Sequence, residues 1–305
     1  MSSLNIPVVD FSLCGLNNAE KDLSEKNLES TGVELVKALS TVGVSYLTNS
    51  GIDPNMICDG RKVWEKFFDS SLEKKSKYAR GEDVMLGYIG HGTEHVDCTK
   101  PADHKEAYNI TCKSVSSGTA NLPDDLSPGI TDWMKIFMSE NKALTDRIFD
   151  LLSLLFAIYN QAMCGWDATQ TDYCTITILF TDDVGGLQFD KNGEFVDIVP
   201  MPNVPLVYVE DTLQGLTSGQ LKAIKNRDVV SADKMQHSRR RLSMGYYVIP
   251  DDEVPINRPL LYKDEKINQV NQKALSSADP PLTFPQHLAN MAAKIRHDCG
   301  KREEH

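Results

Sequence analysis

The chain has 305 residues, of which 41% are hydrophobic, 25% charged and 8% aromatic. These proportions are those of an ordinary folded protein, which excludes a mainly disordered or fibrous chain. The 32 basic and 43 acidic residues give a formal net charge of −11, which argues against nucleic acid or an anionic membrane as a partner.

The first half of the chain combines short strand-like runs with helical patterns. The β-branched runs Ile6–Ser12 and Val42–Thr48 predict strands. The charged stretch EKKSKYAR, residues 73–80, predicts a solvent-exposed surface. Apolar residues at helical spacing predict three amphipathic helices, at about Glu20–Leu39, Pro54–Phe68 and Thr131–Tyr159.

The second half of the chain is rich in predicted strands. Between Tyr173 and Pro250, short β-rich runs alternate with turn residues, and Asn192-Gly193 predicts a tight hairpin. In the last run Leu242, Met244, Tyr246 and Val248 alternate with other residues, as in a half-buried strand. Helices followed by strands predict an α+β protein with an antiparallel sandwich or barrel as its core. One more helix is predicted at Phe284–Ile295.

The cysteines and the apolar runs indicate the cellular compartment of the protein. The seven cysteines are an odd number and form no C-x-x-C pair, which indicates reduced thiols. The longest strongly apolar run, Leu151–Tyr159, is far shorter than the roughly 20 residues that cross a membrane. The N-terminal residues show no secretory pattern. We therefore expect a cytoplasmic protein without a membrane partner.

Several sequence blocks occur in an order that is typical of one enzyme family. The opening strand IPVVDFS is followed by LGYIGHGTEHVD and DHKEAYNI, and later by DDVGGLQ and the Arg-x-Ser strand that begins at Arg241. The last two blocks are the most specific. In these blocks, over most of its length, the chain resembles the isopenicillin-N-synthase-like family of 2-oxoglutarate- and Fe(II)-dependent oxygenases.

The resemblance implies an α+β fold with a double-stranded β-helix, or jelly-roll, core and N-terminal helices. It divides the chain into an N-terminal oxygenase-type region, a linker with the long helix, a dioxygenase-like β-core and a C-terminal extension, at residues 1–115, 116–164, 165–250 and 251–305. It also implies Fe(II) and 2-oxoglutarate as cofactors. In the family, two histidines and a carboxylate hold the iron, and an arginine with a nearby serine binds the distal carboxylate of 2-oxoglutarate.

Two of the three metal positions of this family carry other residues here. The family's His-x-Asp falls on Gln170 and Asp172, so the carboxylate is present and the first imidazole is replaced by an amide. The second histidine falls on Asn226, whereas the 2-oxoglutarate pair is retained as Arg241 and Ser243. Because amide oxygens are poor ligands for Fe(II), the sequence predicts that iron affinity is far below that of an active oxygenase.

A shortened segment and two histidines also concern this site. Only nine residues, QAMCGWDAT, separate the end of the predicted long helix region from Gln170, so the chain is predicted to lack one core strand. His95 and Asp97 have the His-x-Asp spacing, and His237 lies four residues before Arg241. Both segments are predicted to be loops rather than substitute metal ligands.

These observations leave three functions open. The first, which the sequence favours, is a non-catalytic family member that binds a small carboxylate or a protein partner. The second is an active Fe(II)/2-oxoglutarate-dependent oxidoreductase of a small molecule, with an atypical metal site. The third is a binding or scaffold protein. Since the chain has no G-x-S-x-G, P-loop or Rossmann signature, no hydrolase, kinase or dehydrogenase is expected.

Overall fold

The computed structural model describes residues 4–81, 86–93, 105–155, 163–165, 174–229, 239–251, 255–256, 282–283 and 285–286. Its α-helices are α1 (Glu25–Thr41), α2 (Pro54–Phe68), α3 (Leu72–Lys75), α4 (Cys112–Ser116), α5 (Ile130–Leu155) and α6 (Asp211–Leu216). Its strands are β1 (Val8–Asp10), β2 (Val44–Thr48), β3 (Gly87–Ile89), β4 (Ala107–Asn109), β5 (Met163–Gly165), β6 (Ile176–Phe180), β7 (Leu187–Lys191), β8 (Glu194–Asp197), β9 (Leu206–Val209), β10 (Asn226–Asp228) and β11 (Met244–Pro250). Short 3-10 helices lie at Glu20–Asp22 and Ser76–Tyr78.

The first two helices begin at capping side chains. Ser24 accepts a hydrogen bond from the Asn27 N–H at 3.2 Å, and α1 begins immediately after it. The predicted helix start near Glu20 is therefore four to five residues too early, and that segment forms a separate 3-10 turn. Helix α2 has the bounds that were predicted, because the Asp53 carboxylate caps it and Pro54 occupies its first turn.

The long helix α5 is the centre of the helical layer. Its apolar stripe is buried, including Trp133, Phe137, Leu144 and Ile148. The Asp124 carboxylate accepts hydrogen bonds from the N–H groups of residues 129 and 131, at 3.1 and 3.3 Å, at the start of the helix. Residues 156–160, the predicted end of this helix, lie outside the described residues.

Helix α2 packs against α5 at a glycine. A Cβ atom on Gly60 would lie 2.1 Å from Cζ2 of the Trp133 ring, so only glycine fits there. The indole Nε1 of Trp133 donates a hydrogen bond to the Met56 carbonyl at 2.8 Å. The contact therefore combines close packing with a hydrogen bond for the buried indole.

A six-stranded sheet forms the middle of the molecule. Its order is β1-β2-β9-β6-β11-β5, and its neighbours are antiparallel except for the parallel pair β1–β2. Two N-terminal strands thus complete a sheet whose other strands come from the second half of the chain. A separate two-stranded sheet pairs β3 with β4.

A smaller antiparallel sheet, β10-β7-β8, lies against the large one. Its β7–β8 hairpin turns at Asn192 and Gly193, whose φ angles of 58° and 91° are those that a tight turn of this kind needs. The hairpin predicted at this dipeptide is confirmed. A core of apolar side chains from both sheets fills the space between them: Val44, Tyr46, Leu179, Leu187, Phe189, Leu206 and Tyr208.

The other face of the large sheet packs against the helices. Along β11, Met244, Tyr246 and Val248 are buried in the core that also contains Leu35 of α1 and Ile148 of α5. The alternation predicted for this strand is therefore confirmed. The large sheet separates a helical side from a barrel side, and the barrel side is the space between the two sheets.

One edge of the large sheet bears on the predicted loss of a strand. There β5, a strand of three residues, pairs with Val248–Pro250 at the end of the seven-residue strand β11. The segments on both sides of β5, residues 156–162 and 166–173, lie outside the described residues. The loss of a core strand therefore stays a prediction.

The expectation of a fully solvated EKKSKYAR stretch is wrong at one residue. Lys75 is 6% exposed and forms an ion pair with Glu106, with 2.5 Å between Nζ and Oε1. Its ammonium also donates to the Phe68 carbonyl at 2.9 Å and lies 5.5 Å from the centre of the Tyr88 ring. A buried lysine is tolerated here because a carboxylate and a carbonyl replace water as its partners.

Among the described residues, no helix is long and apolar enough to cross a membrane. In this part of the chain, Cys14 and Cys58 are free thiols. The helix predicted at Phe284–Ile295 falls almost wholly outside the described residues.

Candidate functional site

The two faces of strand β10 carry different chemistry. Arg227 points away from the barrel, where its Nε donates to the Gln188 Oε1 at 2.8 Å and its guanidinium lies 4.3 Å from the centre of the Phe195 ring. Asn226 and Asp228 flank Arg227, so the alternation of a strand places both on the opposite face. That face is the inner one.

The register of β10 supports this placement. Asn226 pairs with Phe189 of β7, and Asp228 pairs with Leu187. Both apolar partners are buried in the core between the two sheets. Asn226, the residue at the position of the family's second histidine, therefore lies on the barrel side and is half-buried.

Arg241, the predicted carboxylate-binding residue, already has a carboxylate partner. Its Nη1 lies 2.7 Å from Oδ1 of Asp228, and the two side chains are 20% and 48% exposed. This ion pair joins the approach to β11 with the inner face of β10. Asp228 was not predicted as a site residue, although its position two residues after Asn226 indicates a shared strand face.

A turn between β6 and β7 holds the arginine in place. Oδ2 of Asp182 accepts a hydrogen bond from the N–H of Leu242 at 2.6 Å, and Oδ1 accepts from the N–H of Val184 at 2.9 Å. One carboxylate thus shapes the turn and ties the residue after Arg241 to it. Asp182 is therefore a turn-forming residue.

Gly186 in this turn allows β10 and Arg241 to come close. Its φ is +92°, and a Cβ atom there would lie 2.5 Å from the carbonyl oxygen of Val229 and 3.9 Å from Cδ of Arg241. The N–H of Val229 donates to the Gly186 carbonyl at 2.8 Å. Only glycine adopts this backbone conformation without strain and leaves this space.

The two arginines before Arg241 lie on the surface. Arg239 pairs with Asp183 at 2.7 Å, and Arg240 pairs with Asp69. The hydrogen bond from Arg239 lowers the pKa of Asp183, and the hydrogen bond from Arg240 lowers the pKa of Asp69. Both arginine side chains are about half-exposed, so their charges are partly solvated.

The other predicted site residues are placed as follows. Ser243 is exposed, two residues after Arg241 on the approach to β11. Gln170 and Asp172 lie outside the described residues, as do His95, Asp97 and His237. The structure thus brings Arg241 together with Asp228 and places Asn226 on the same inner face as Asp228.

A buried polar row crosses the barrel side of the large sheet. Tyr208, Thr177 and Tyr247 are register partners on β9, β6 and β11. The Thr177 hydroxyl donates to Oε1 of Glu210 at 2.7 Å, and Glu210 is only 4% exposed. Burial, followed by the nearby charge of Glu210, raises the pKa of Tyr208 well above its ordinary value.

Glu210 was also not predicted as a site residue. The only signal was an acidic residue directly after the apolar run LVYV, where a buried strand ends. Tyr247 lies over Gly245, since a Cβ on that glycine would be 2.9 Å from the Tyr247 ring. The barrel side is therefore lined by hydroxyl groups and a carboxylate as well as by apolar side chains.

Comparison with known proteins places the chain in a family. Residues 6–128 match the family described as non-haem dioxygenase in morphine synthesis N-terminal, and residues 158–250 match the 2OG-Fe(II) oxygenase superfamily. The chain is 28% identical over 299 residues to UPF0676 protein C1494.01 of Schizosaccharomyces pombe, covering 84% of this chain and 85% of that protein. It is 25% identical over 320 residues to leucoanthocyanidin dioxygenase of Petunia hybrida, covering 93% and 68%.

Solved structures of the superfamily share the fold. A full-length Neurospora crassa protein in complex with alpha-KG has a TM-score of 0.70 and 20% identity, over 95% of this chain and 96% of that one. JOX2 in complex with 2OG, Fe and JA has a TM-score of 0.66 and 20% identity, over 94% and 85%. These similarities support the double-stranded β-helix. The family matches over residues 6–128 and 158–250 show that the chain belongs to the 2-oxoglutarate- and Fe(II)-dependent oxygenase superfamily.

Proposed function

We propose that this chain is a non-catalytic member of the superfamily, with the fold retained and the iron site replaced. The observation that carries the proposal is Asn226, which lies on the inner face of β10 at the position of the family's second histidine. A carboxamide on this face offers an oxygen or an NH₂ group instead of an imidazole nitrogen.

The donor set that the family positions provide does not fit Fe(II). It consists of the amides of Gln170 and Asn226 and the carboxylate of Asp172. Amide oxygens suit Ca²⁺ or Mg²⁺ within a larger shell of oxygen ligands, whereas imidazole suits iron. Among the residues that the structure describes, no three His, Cys, Asp or Glu side chains are grouped closely enough to hold a metal ion.

The proposal includes two further features. One is the loss of one core strand, which is supported by the spacing of only nine residues between the predicted long helix region and Gln170. The other is a cytoplasmic location, which is supported by the free thiols of Cys14 and Cys58. Arg241 stays in place as the group that could recognise a small carboxylate.

The test restores the missing ligands and measures iron. The double variant Gln170→His with Asn226→His is compared with the wild type and with Gln170→His combined with Arg227→His. The variant with Arg227→His also adds two imidazoles, but the imidazole at position 227 lies on the outer face of β10. We expect Fe(II) binding to increase by at least about a hundredfold only in the first variant, because each added ligand contributes strongly to a preformed site.

The wild-type measurement decides the proposal directly. Stoichiometric Fe(II) in the wild-type protein, together with succinate release from 2-oxoglutarate, would contradict it. That result would establish the alternative, an active oxidoreductase with an atypical metal site, which the retention of Arg241 in a largely buried position favours. In that case Asp172→Ala should abolish both the metal content and the turnover.

A further inference from the structure

The ion pair between Arg241 and Asp228 has a consequence for ligand binding. We infer that Asp228 is an internal carboxylate ligand of Arg241, and that it keeps this arginine from binding a free dicarboxylate. The inference deepens the proposed function, on which it rests, since a barrel without iron chemistry does not require an open cosubstrate position.

The geometry of the pair supports direct competition. The guanidinium of Arg241 is 20% exposed and lies 2.7 Å from the Asp228 carboxylate. A free dicarboxylate would present the same chemical group to the same donors. Asp228 belongs to the same chain, so it contacts the arginine without the loss of translational freedom that a free ligand incurs.

The backbone around the pair holds both partners. Asp228 lies on β10, which pairs with β7, and Val229 is hydrogen-bonded to Gly186 at 2.8 Å. Arg241 is positioned by the hydrogen bond from the N–H of Leu242 to Asp182 at 2.6 Å. The residue after each member of the pair, Val229 or Leu242, therefore donates its backbone N–H to the turn between β6 and β7.

The charge of the barrel side acts in the same direction. Asp228 balances the charge of Arg241, and Glu210 adds a buried carboxylate next to Thr177. Burial raises the pKa of Tyr208, and the charges of Glu210 and then Asp228 raise it further, so both acids act on the same phenol. Because Asp228 already balances the charge of Arg241, a dianionic ligand would meet no net positive charge from this pair.

The test measures dicarboxylate binding without metal. Isothermal titration calorimetry with 2-oxoglutarate, and separately with succinate, is performed in EDTA on the wild type, Asp228→Asn and Asp183→Asn. The last variant is the matched control, because it breaks an Asp–Arg pair of the same 2.7 Å length and changes the net charge equally, but at the exposed Arg239.

We expect Asp228→Asn to bind 2-oxoglutarate at least about tenfold more tightly than the wild type. This factor corresponds to an arginine that is available to a ligand in about one wild-type molecule in ten and in every molecule of the variant. Asp183→Asn should bind like the wild type. Combining Asp228→Asn with Arg241→Gln should abolish the gain, because the ligand then has no guanidinium to bind.

Three results would overturn the inference. They are equal affinities of the wild type and Asp228→Asn, an equal gain in Asp183→Asn, and a gain that persists without Arg241. If circular dichroism shows that Asp228→Asn is unfolded, Asp228→Ser takes its place, and a folded variant without a gain also overturns it. Iron content and turnover are not measured here, so a failure of this inference is distinguishable from a failure of the proposed function.

Discussion

Among the described residues, two ion pairs contain a largely buried cation, and they differ in how that cation is held. On the helical side, Lys75 contacts Glu106, the Phe68 carbonyl and the Tyr88 ring, so its charge is surrounded by fixed partners. On the barrel side, Arg241 contacts Asp228, whose side chain is 48% exposed. The first arrangement stabilises the fold, whereas the second leaves a charged pair where a ligand could replace one member.

The two faces of the large sheet also differ in polarity. Ile176, Ile178 and Phe180 of β6 face the helices and are fully buried among apolar side chains. Thr177, between them in the chain, faces the barrel and donates to Glu210. Neighbouring residues on one strand therefore serve packing on one side and a polar network on the other.

The largest effect is expected from Ile178→Ala. It removes a fully buried side chain from the helical side and should lower the free energy of unfolding by about 2–5 kcal/mol. Thr177→Val keeps the volume but removes the donor to Glu210, and should cost about 1–3 kcal/mol. Urea denaturation measures both. A larger loss in Thr177→Val than in Ile178→Ala would contradict this division between the two faces.

The next effect concerns the helical layer that covers the sheet. Gly60→Ala should destabilise the protein by about 1–3 kcal/mol, because the added methyl group would overlap the Trp133 ring. This reverses the usual gain from replacing a helical glycine with alanine. Gly215→Ala in α6 is the matched control, since a Cβ there meets no atom within 4 Å. Thermal unfolding of the two variants should give shifts of opposite sign.

The smallest effect is a dependence on pH. Burial raises the pKa of Glu106, but hydrogen bonds from Lys75 and Tyr88 outweigh it and leave this pKa below its ordinary value of 4.5. The stability that the carboxylate contributes should therefore be complete above pH 4.5 and lost as the pH falls through the lowered pKa. Because Glu106 is partly exposed, we expect on the order of 1 kcal/mol.

Urea unfolding of the wild type and Glu106→Gln at pH 7, 5, 4 and 3 measures this effect. The difference between the two proteins should shrink below pH 4.5. Glu194→Gln, on the exposed hairpin strand β8, controls for a general effect of removing a carboxylate. A difference that stays constant down to pH 3 would show that the Lys75–Glu106 pair adds no pH-dependent stability.

Local signals predicted much of the secondary structure. The bounds of α2 follow from Asp53 and Pro54, and the β7–β8 turn follows from Asn192 and Gly193. In each case the residues that decide the structure are adjacent in the chain. The order of the family's sequence blocks likewise predicted the superfamily, which the matches over residues 6–128 and 158–250 bear out.

Partners that are distant in the chain were not predictable in this way. Lys75 is buried because Glu106 lies 31 residues further on, and no local pattern indicates that contact. The partner of Arg241 was missed for a related reason. Asp228 was only a strand residue until the register of β10 with β7 placed it on the inner face. The site therefore depends on strand register, and local patterns in the sequence do not reveal which residues of β10 and β7 pair.

The pairing of β2 with β9 also affects when the protein can fold. Val44 of β2 is opposite Tyr208 of β9. The ribosome therefore adds 208 − 44 = 164 residues after Val44 before this partner is complete. At about 5–20 residues per second, this delay is on the order of ten seconds or more. Until residues 206–208 have been synthesised, the hydrogen-bonding edge of residues 44–46 therefore lacks its partner strand.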